Sequence, residues 1–249
     1  NVVAIDQDSD AKIFVEEISK QFKNNFFFFC NKFSEVETVL KKIGQEQFDG
    51  ILLDLGMSNT QLNNSSRGFS FEKDGPLDMR MDNRQEETAA DILNEADERE
   101  LTRIFREYGE ERHAKRIAKR VVRERENKPW ERTTEFAELV KAVVGRSKTG
   151  KAPSPAKCFQ ALRIAVNREL DVLEDGLKSA FELLKPGGRL VVISFHSLED
   201  RMVKEFFRDK AKSCICPPDF PVCVCDVKAE VKIISGKAVK ASAAEAEEN

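Results

Sequence analysis

Short apolar runs separated by amphipathic stretches lay out the plan of this chain. Val2-Val-Ala-Ile5, Phe26-Phe-Phe-Phe29 and Ile51-Leu-Leu53 are continuous apolar runs of strand length, and Leu190-Val-Val-Ile-Ser194 is a fourth. Runs that are continuous rather than alternating belong to strands covered on both faces, as in parallel sheets. Between the first two, Asp8-Ser-Asp-Ala reads as a helix start, and Ile13, Phe14, Ile18 and Phe22 recur on a helical period that predicts a buried stripe. Val36, Val39, Leu40 and Ile43 repeat that period until Gly44 stops it, and a later helix runs to Leu184 before the turn Lys185-Pro-Gly-Gly188. Strand and helix in alternation predict an α/β fold with a parallel, doubly wound sheet.

From about residue 85 to 166 the strand signals stop. Thr88 with Asp91, and Asp97 with Glu100, are spaced as helix-capping pairs. Ala114, Ile117, Ala118, Val121 and Val122 form one stripe of a helix whose other face carries Lys115, Arg116, Lys119, Arg120 and Arg123. Pro129 ends that helix, and Phe136, Leu139, Val140, Val143 and Val144 mark another, stopped at Gly145. The pattern predicts an all-helical insertion between two parts of one sheet. Near the end, Val231-Lys-Ile-Ile-Ser-Gly-Lys-Ala-Val239 alternates about a Ser-Gly turn and predicts an antiparallel hairpin.

The chemistry concentrates where strands end. Residues 51–53 stop at a carboxylate, Asp54, and about thirty residues dense in Ser, Asn, Asp, Arg and Gly follow. In open α/β sheets the carboxyl ends of the strands are where ligands sit. Asp6 ends the first strand in the same way, and a carboxylate there commonly accepts hydrogen bonds from a ribose diol, although Asp8 and Asp10 are equally placed to cap a helix. A glycine-rich turn should precede such a strand by some twenty residues. The first glycine is Gly44 and the chain opens directly on a strand without Met, so it is expected to be a fragment lacking the preceding strand and glycine loop.

At 249 residues and 28.3 kDa, with 41% hydrophobic residues, there is material for one large domain or a domain with an insertion. No apolar run approaches the length of a membrane span. The formal charge of −3 hides an asymmetry, because residues 103–151 carry 15 Lys and Arg against 8 Glu, a local balance of +7. A basic segment in an otherwise acidic chain favours a polyanionic partner. The bland alternative is that these cations solvate a helix and pair with Glu111, Glu124 and Glu126. The small, acidic tail 241–249 is expected to fray. Cys214-Ile-Cys216 and Cys223-Val-Cys225 are two C-x-C pairs six residues apart. Four thiolates could bind zinc, but C-x-C is tighter than the usual zinc spacing, so the reading favours free thiols in a reducing compartment and no metal.

Five segments stand in order: Asp54-Leu-Gly-Met-Ser-Asn-Thr-Gln-Leu, Arg67-Gly-Phe-Ser-Phe, Asp74-Gly-Pro-Leu-Asp-Met-Arg-Met-Asp82, Phe159-Gln-Ala-Leu-Arg-Ile-Ala-Val-Asn-Arg-Glu-Leu170 and Pro186-Gly-Gly-Arg-Leu-Val-Val-Ile-Ser-Phe-His-Ser-Leu-Glu-Asp-Arg201. Together they resemble the MraW family, the small-subunit rRNA methyltransferase H family. The likeness runs from Asp6 to about Val239. It implies S-adenosylmethionine as methyl donor, a Rossmann-like methyltransferase sheet in parts 1–84 and 167–249, and a helical substrate-recognition insertion over 85–166. The implied substrate is the N4 amine of a cytidine in the decoding region of small-subunit rRNA, free or in the assembled subunit. On the matching positions, Asp6 would hold the cofactor ribose, Phe33 would lie by the adenine, and Asp54 and Gln61 would complete the cofactor wall. Without the resemblance, Phe33 reads as core.

A cytosine N4 amine is a poor nucleophile because its lone pair is delocalised into the ring. Catalysis must align it with the methyl group and polarise it with acceptors. Asp54, Ser58, Asn59 and Asp78 offer acceptors at the expected place, with Arg80 free for a phosphate. Lys115, Arg116, Lys119, Arg120 and Arg123 would hold the RNA backbone, and His196 is either a substrate contact or a satisfied structural histidine. The chain departs from the family in three places: the glycine motif has no counterpart, Ser-Ser-Pro-Gln is here Ser58-Asn59-Thr60-Gln61, and His-Pro-Ala-Thr-Arg is here Ser154-Pro155-Ala156-Lys157-Cys158. The competing classes are a nicotinamide-dependent Rossmann enzyme, which shares Asp6, and a non-catalytic RNA-binding protein, which explains the basic helix but leaves residues 54–82 without purpose. A cytoplasmic location is expected, with a mitochondrion or plastid as alternatives, no membrane partner, and a homodimer left open.

Overall fold

Strands form at the four apolar runs: β1 (Val2–Ile5), β2 (Phe26–Phe29), β3 (Phe48–Asp54) and β4 (Leu184–Ile193). The computed structural model describes residues 1–145, 154–217, 222–242 and 245, and its helices are α1 (Ala11–Gln21), α2 (Val36–Ile43), α3 (Asn59–Asn63), α4 (Ala89–Glu95), α5 (Glu98–Glu107), α6 (Ala114–Arg125), α7 (Thr133–Val144), α8 (Ala156–Asn167), α9 (Glu169–Glu182) and α10 (Ser197–Lys210). The end of the basic stretch, 146–151, and most of the acidic tail fall outside the described residues. The residues divide into two units, Asn1–Phe195 and His196–Asn249. Among the described residues no helix is long and apolar enough to cross a membrane.

Among the described residues all strand pairing is parallel, as the alternation predicts, but it falls into two separate pairs, β1 with β2 and β3 with β4, rather than one continuous sheet. The register of the second pair slips between Phe48, opposite Leu184, and Gly50, opposite Arg189. The Lys185-Pro-Gly-Gly segment therefore bulges out of the start of β4 instead of standing wholly before it. The predicted hairpin at 231–239 does not form. Val239 is 88% exposed and Ile234 68%; a two-stranded hairpin with no surface to pack on is marginal at best in water.

The main core belongs to the helices. Leu93, Leu101, Ile104, Phe105, Ile117, Val121, Phe136, Val140, Phe159 and Leu162 fill it, and Phe69, Leu77, Met79 and Met81 of the long polar loop enter the same cluster. Local signals were sufficient here. Thr88 and Asp91 form a reciprocal capping box on α4, the Asp97 side chain accepts the Glu100 N–H on α5, and Gly44 ends α2 with a left-handed φ of 65°. The stripe predicted on α1 is the exception: Ile13 is 71% exposed and Phe14 60%. Nothing among the described residues covers it, so periodicity identified the helix without identifying a buried face.

Candidate active site

Asp6 and Asp54 stand at the carboxyl ends of β1 and β3, both on exposed residues. Asp6 Oδ1 accepts the Asp8 N–H at 2.8 Å. Although solvent reaches the residue, surrounding protein desolvates the Asp6 carboxyl and raises its pKa. The Asp8 N–H opposes this, the Asp8 charge adds to it and Arg67 subtracts. Gln7 Oε1, one residue on, is buried with no hydrogen-bond partner. Asp54 has no side-chain hydrogen bond among the described residues.

A buried ionic network holds the loop that follows Asp54. Asp8, only 6% exposed, accepts from Gln61 Nε2 at 2.6 Å and from Arg67 Nη1 at 2.9 Å. Arg67 also donates to Asp10 Oδ2 at 2.8 Å and to the carbonyls of Arg80 and Met81 at 3.0 and 3.1 Å. From the other side Asn167, at the end of α8, donates to the Met79 carbonyl at 2.8 Å and accepts the Met81 N–H at 2.7 Å. Between these clamps Met79 is held at φ 61°, a conformation that side-chain-bearing residues rarely adopt. Two glycines allow the loop to cross itself. A Cβ on Gly68 would lie 2.1 Å from the Pro76 carbonyl oxygen, and one on Gly75 would lie 1.9 Å from that of Ser65.

The helical stretch secures the same loop. Leu77 N–H donates to the Glu131 carbonyl at 2.9 Å, Thr133 N–H to that of Gly75 at 2.9 Å, and Gly75 N–H to Thr133 Oγ1 at 3.0 Å. Arg163 on α8 makes a two-pronged pair with Glu169 at 2.7 and 2.9 Å, which braces the turn beside Asn167.

The structure distributes the expected site residues unevenly. Ser58 and Asn59 are exposed at the start of α3, and Ser58 Oγ accepts the Gln61 N–H at 3.1 Å while Gln61 Oε1 accepts the Ser58 N–H at 2.9 Å. Gln61 is thus committed on both ends, to Asp8 and to Ser58, and acts as a brace rather than an open wall. Asp78 and Arg80, expected as a free acceptor and a free phosphate contact, are committed to each other through bonds of 2.9 and 2.7 Å, with Arg80 also donating to the Gln85 carbonyl at 2.6 Å. Burial alone would push the Asp78 pKa up; the Arg80 hydrogen bonds outweigh it and the net direction is down. The Phe33 ring is half-buried and lies against α9, where a Cβ on Gly176 would be 2.3 Å from it.

On α6, Lys115, Arg116, Lys119 and Arg123 are exposed, while Arg120 turns to Glu124 at 2.6 Å. Glu124 also lies 3.7 Å from Arg123. Glu111 is buried and accepts the His113 N–H, so it does not neutralise the basic face. His196, in the second unit, caps α10 by accepting the Glu199 N–H at 3.4 Å, with its other ring nitrogen 3.2 Å from the Glu199 carboxylate. That second nitrogen, Nε2, is buried and makes no hydrogen bond among the described residues. In the same unit the four sulfurs of Cys214, Cys216, Cys223 and Cys225 converge within 4.8 Å of one another. Asp8 was read from the sequence only as a helix-capping candidate, and Arg67 and Asn167 were not singled out; these two lie inside the matched segments, but the partners that give them meaning are 59 and up to 88 residues away.

A model of the MraW methylase family matches residues 1–249. The chain is 49% identical over 249 residues to the ribosomal RNA small subunit methyltransferase H of Carboxydothermus hydrogenoformans, covering 100% of this chain and 80% of that one. The protein of the same name from Pelobacter propionicus is 47% identical with the same coverage, and that from Clostridioides difficile is 44% identical over 99% of this chain and 80% of its own.

Proposed function

Because the chain belongs to the MraW methylase family, we propose that it transfers a methyl group from S-adenosylmethionine to the N4 amine of a cytidine in the decoding region of small-subunit rRNA. Family membership sets aside the nicotinamide alternative. The observation that carries the reading is the contrast within the strand-end loop: Asp54, Ser58 and Asn59 are open, while everything that shapes their surroundings is locked. The donor set fits the cofactor. Ribose hydroxyls donate hydrogen bonds, and the end of β1 offers the Asp6 carboxylate and an unpartnered buried acceptor, Gln7 Oε1.

S-adenosylmethionine, when bound, supplies an electrophilic sulfonium methyl. Asp6 would hold its ribose and Phe33 would flank the adenine, with Gln61 bracing the wall from behind. Asp54 and the Asn59 amide oxygen accept the amine hydrogens of the cytosine, which draws electron density back onto N4 and orients its lone pair. Ser58 adds a hydroxyl beside them. Asp78 serves by holding Arg80, and the pair fixes the loop rather than touching the amine. No strong base is needed, since the amine proton becomes acidic as the new bond forms and any of these acceptors can take it.

The helical stretch 85–166 acts as the substrate-recognition part. Lys115, Arg116, Lys119 and Arg123 on α6 contact rRNA phosphates, and Arg120 contributes once Glu124 releases it. Such contacts position RNA without reading its bases. The protein works in the cytoplasm, where bacterial-type ribosomes are assembled. Methylation of small ribosomal subunits by Asp54→Asn and Asn59→Ala variants, with circular dichroism as a control, tests the reading. Loss of transfer at N4 in folded protein is expected; full activity in both variants removes this loop from the chemistry.

A further inference from the structure

Beyond α10 the second unit holds a side-chain cluster that the methyl-transfer reading does not use. Cys214 Sγ lies 3.5 Å from Cys223 Sγ and 3.8 Å from Cys225 Sγ, and Cys223 and Cys225 are 3.5 Å apart. With Cys216 the four sulfurs lie within 4.8 Å of one another. Four sulfurs bonded to one zinc ion at about 2.3 Å define a tetrahedron with edges of about 3.8 Å. The observed spacings approach those edges and are far longer than the ~2.05 Å of a disulfide.

The backbone is arranged for thiolates as well. Ile215 N–H donates to Cys225 Sγ, Val224 N–H to Cys216 Sγ and Cys216 N–H to Cys214 Sγ, each at 3.4 Å. Each C-x-C pair therefore sends a backbone donor to a sulfur of the other, so the two halves are interlocked around the sulfur cluster. No apolar core accounts for the convergence: Ile215, Val222 and Val224 are 66–69% exposed, and no helix or strand is formed among the described residues between Ala211 and Ser242. Thiol contacts alone are too weak to gather four cysteines of which Cys214 and Cys223 are exposed and Cys216 and Cys225 half-buried.

We propose that Cys214, Cys216, Cys223 and Cys225 form a tetrathiolate zinc site. The tight C-x-C spacing that argued against zinc in the sequence is met by drawing two ligands from each pair, with the pairs crossing. Zinc(II) takes the place of the thiol protons; four S–H bonds break, four Zn–S bonds form, the four protons pass to solvent, and no electron moves. Because the protein fills all four positions, the site is structural, and it closes the loop from 214 to 225 in place of a hydrophobic core.

The test is metal analysis of the whole chain, purified with reductant and without chelator. About one equivalent of zinc per chain is expected. Replacing it with cobalt(II) should give the intense visible bands and thiolate charge-transfer absorption of a tetrahedral sulfur site. Peptide mass spectrometry after alkylation should find these four cysteines protected on the order of tenfold or more relative to chelator-treated protein, with Cys30 reacting equally in both. Cys214→Ser/Cys223→Ser should lose the metal, whereas Cys30→Ser should keep it. Free alkylation of all four in zinc-supplied native chain, disulfides between them, octahedral cobalt bands, or stoichiometric iron in place of zinc would each overturn the assignment. These readouts do not depend on methyl transfer, so failure here and failure of the enzymatic reading are separable.

Discussion

Two regions of the first unit carry the same kind of sequence signal and end differently. The stripe on α7, from Phe136 to Val143, is buried in the main core, whereas the stripe on α1, from Ile13 to Phe22, stays in solvent. Both helices are amphipathic. An apolar stripe becomes core only when another apolar surface meets it, and the loop of residues 69–81 supplies part of that surface to the helices and none to α1. The polar loop is therefore a packing element as well as a chemical one, and its rigidity comes from the core it helps to build.

The largest effect should follow from breaking that rigid side. Arg67→Ala would strand the buried Asp8 carboxylate and should cost about 3–5 kcal/mol. Phe136→Ala should cost a similar ~3–5 kcal/mol through its cavity, while Phe14→Ala on the open stripe should stay within about 0.5 kcal/mol. Urea unfolding of the three variants compares them directly; equal losses at Phe136 and Phe14 would erase the distinction between the two stripes. Asn167→Ala leaves the Met79 carbonyl and Met81 N–H unpaired and should cost about 1–3 kcal/mol. It should also depress methyl transfer more than S-adenosylmethionine affinity, because the strained Met79 turn shapes the substrate side.

Acid titration sharpens the contrast between the locked and the open carboxylates. Asp78 has a lowered folded pKa, so its pairing with Arg80 contributes fully above the ordinary carboxylate range and is lost as pH falls through the lowered value. Asp6 has the opposite sign. Its raised folded pKa means that ionisation costs the fold, and this cost sets in as pH rises from the ordinary Asp range, near ~3.9, through the raised value. Unfolding midpoints across the acid range should show Asp78→Asn flattening the acid limb and Asp6→Asn modestly raising stability at neutral pH. The same Asp6→Asn change should weaken S-adenosylmethionine binding in calorimetry, and unchanged affinity would return Asp6 to a purely turn-forming role. The smallest effect belongs to the exposed face of α6. Charge reversal at Lys119 and Arg123 should flatten the salt dependence of RNA binding by roughly 0.7 per lost contact, with thermal stability and cofactor affinity unmoved. An unchanged slope would turn this face away from the substrate.

Legibility in the sequence followed the range of the interaction. The capping pairs Thr88–Asp91 and Asp97–Glu100, the stop at Gly44, the basic face of α6 and the strand-end position of Asp54 were all readable, because each depends on neighbours within a turn or two. Gln61, Asp78 and Arg80 were found as residues, but the sequence does not show that Asp78 and Arg80, two residues apart, pair with each other or that Gln61 reaches Asp8. Arg67 and Asn167 were missed, and Asp8 was read only as a helix cap, because their partners lie 59 and up to 88 residues away. The cysteine spacing was visible and argued against metal, because a spacing rule describes one pair and says nothing of a second pair crossing it.

By itself, then, the sequence determined the four strands and their parallel character, the amphipathic helices, the family, and the loop to which the proposed chemistry is assigned, while the hairpin it predicted at 231–239 does not form. Those are consequences of local periodicity, capping and an ordered set of motifs. Tertiary structure alone decided which apolar stripe is core, which carboxylates are spent on internal ion pairs, and that the sulfurs of two C-x-C pairs meet. Each of these is a choice of partner in space, and a one-dimensional pattern does not contain it.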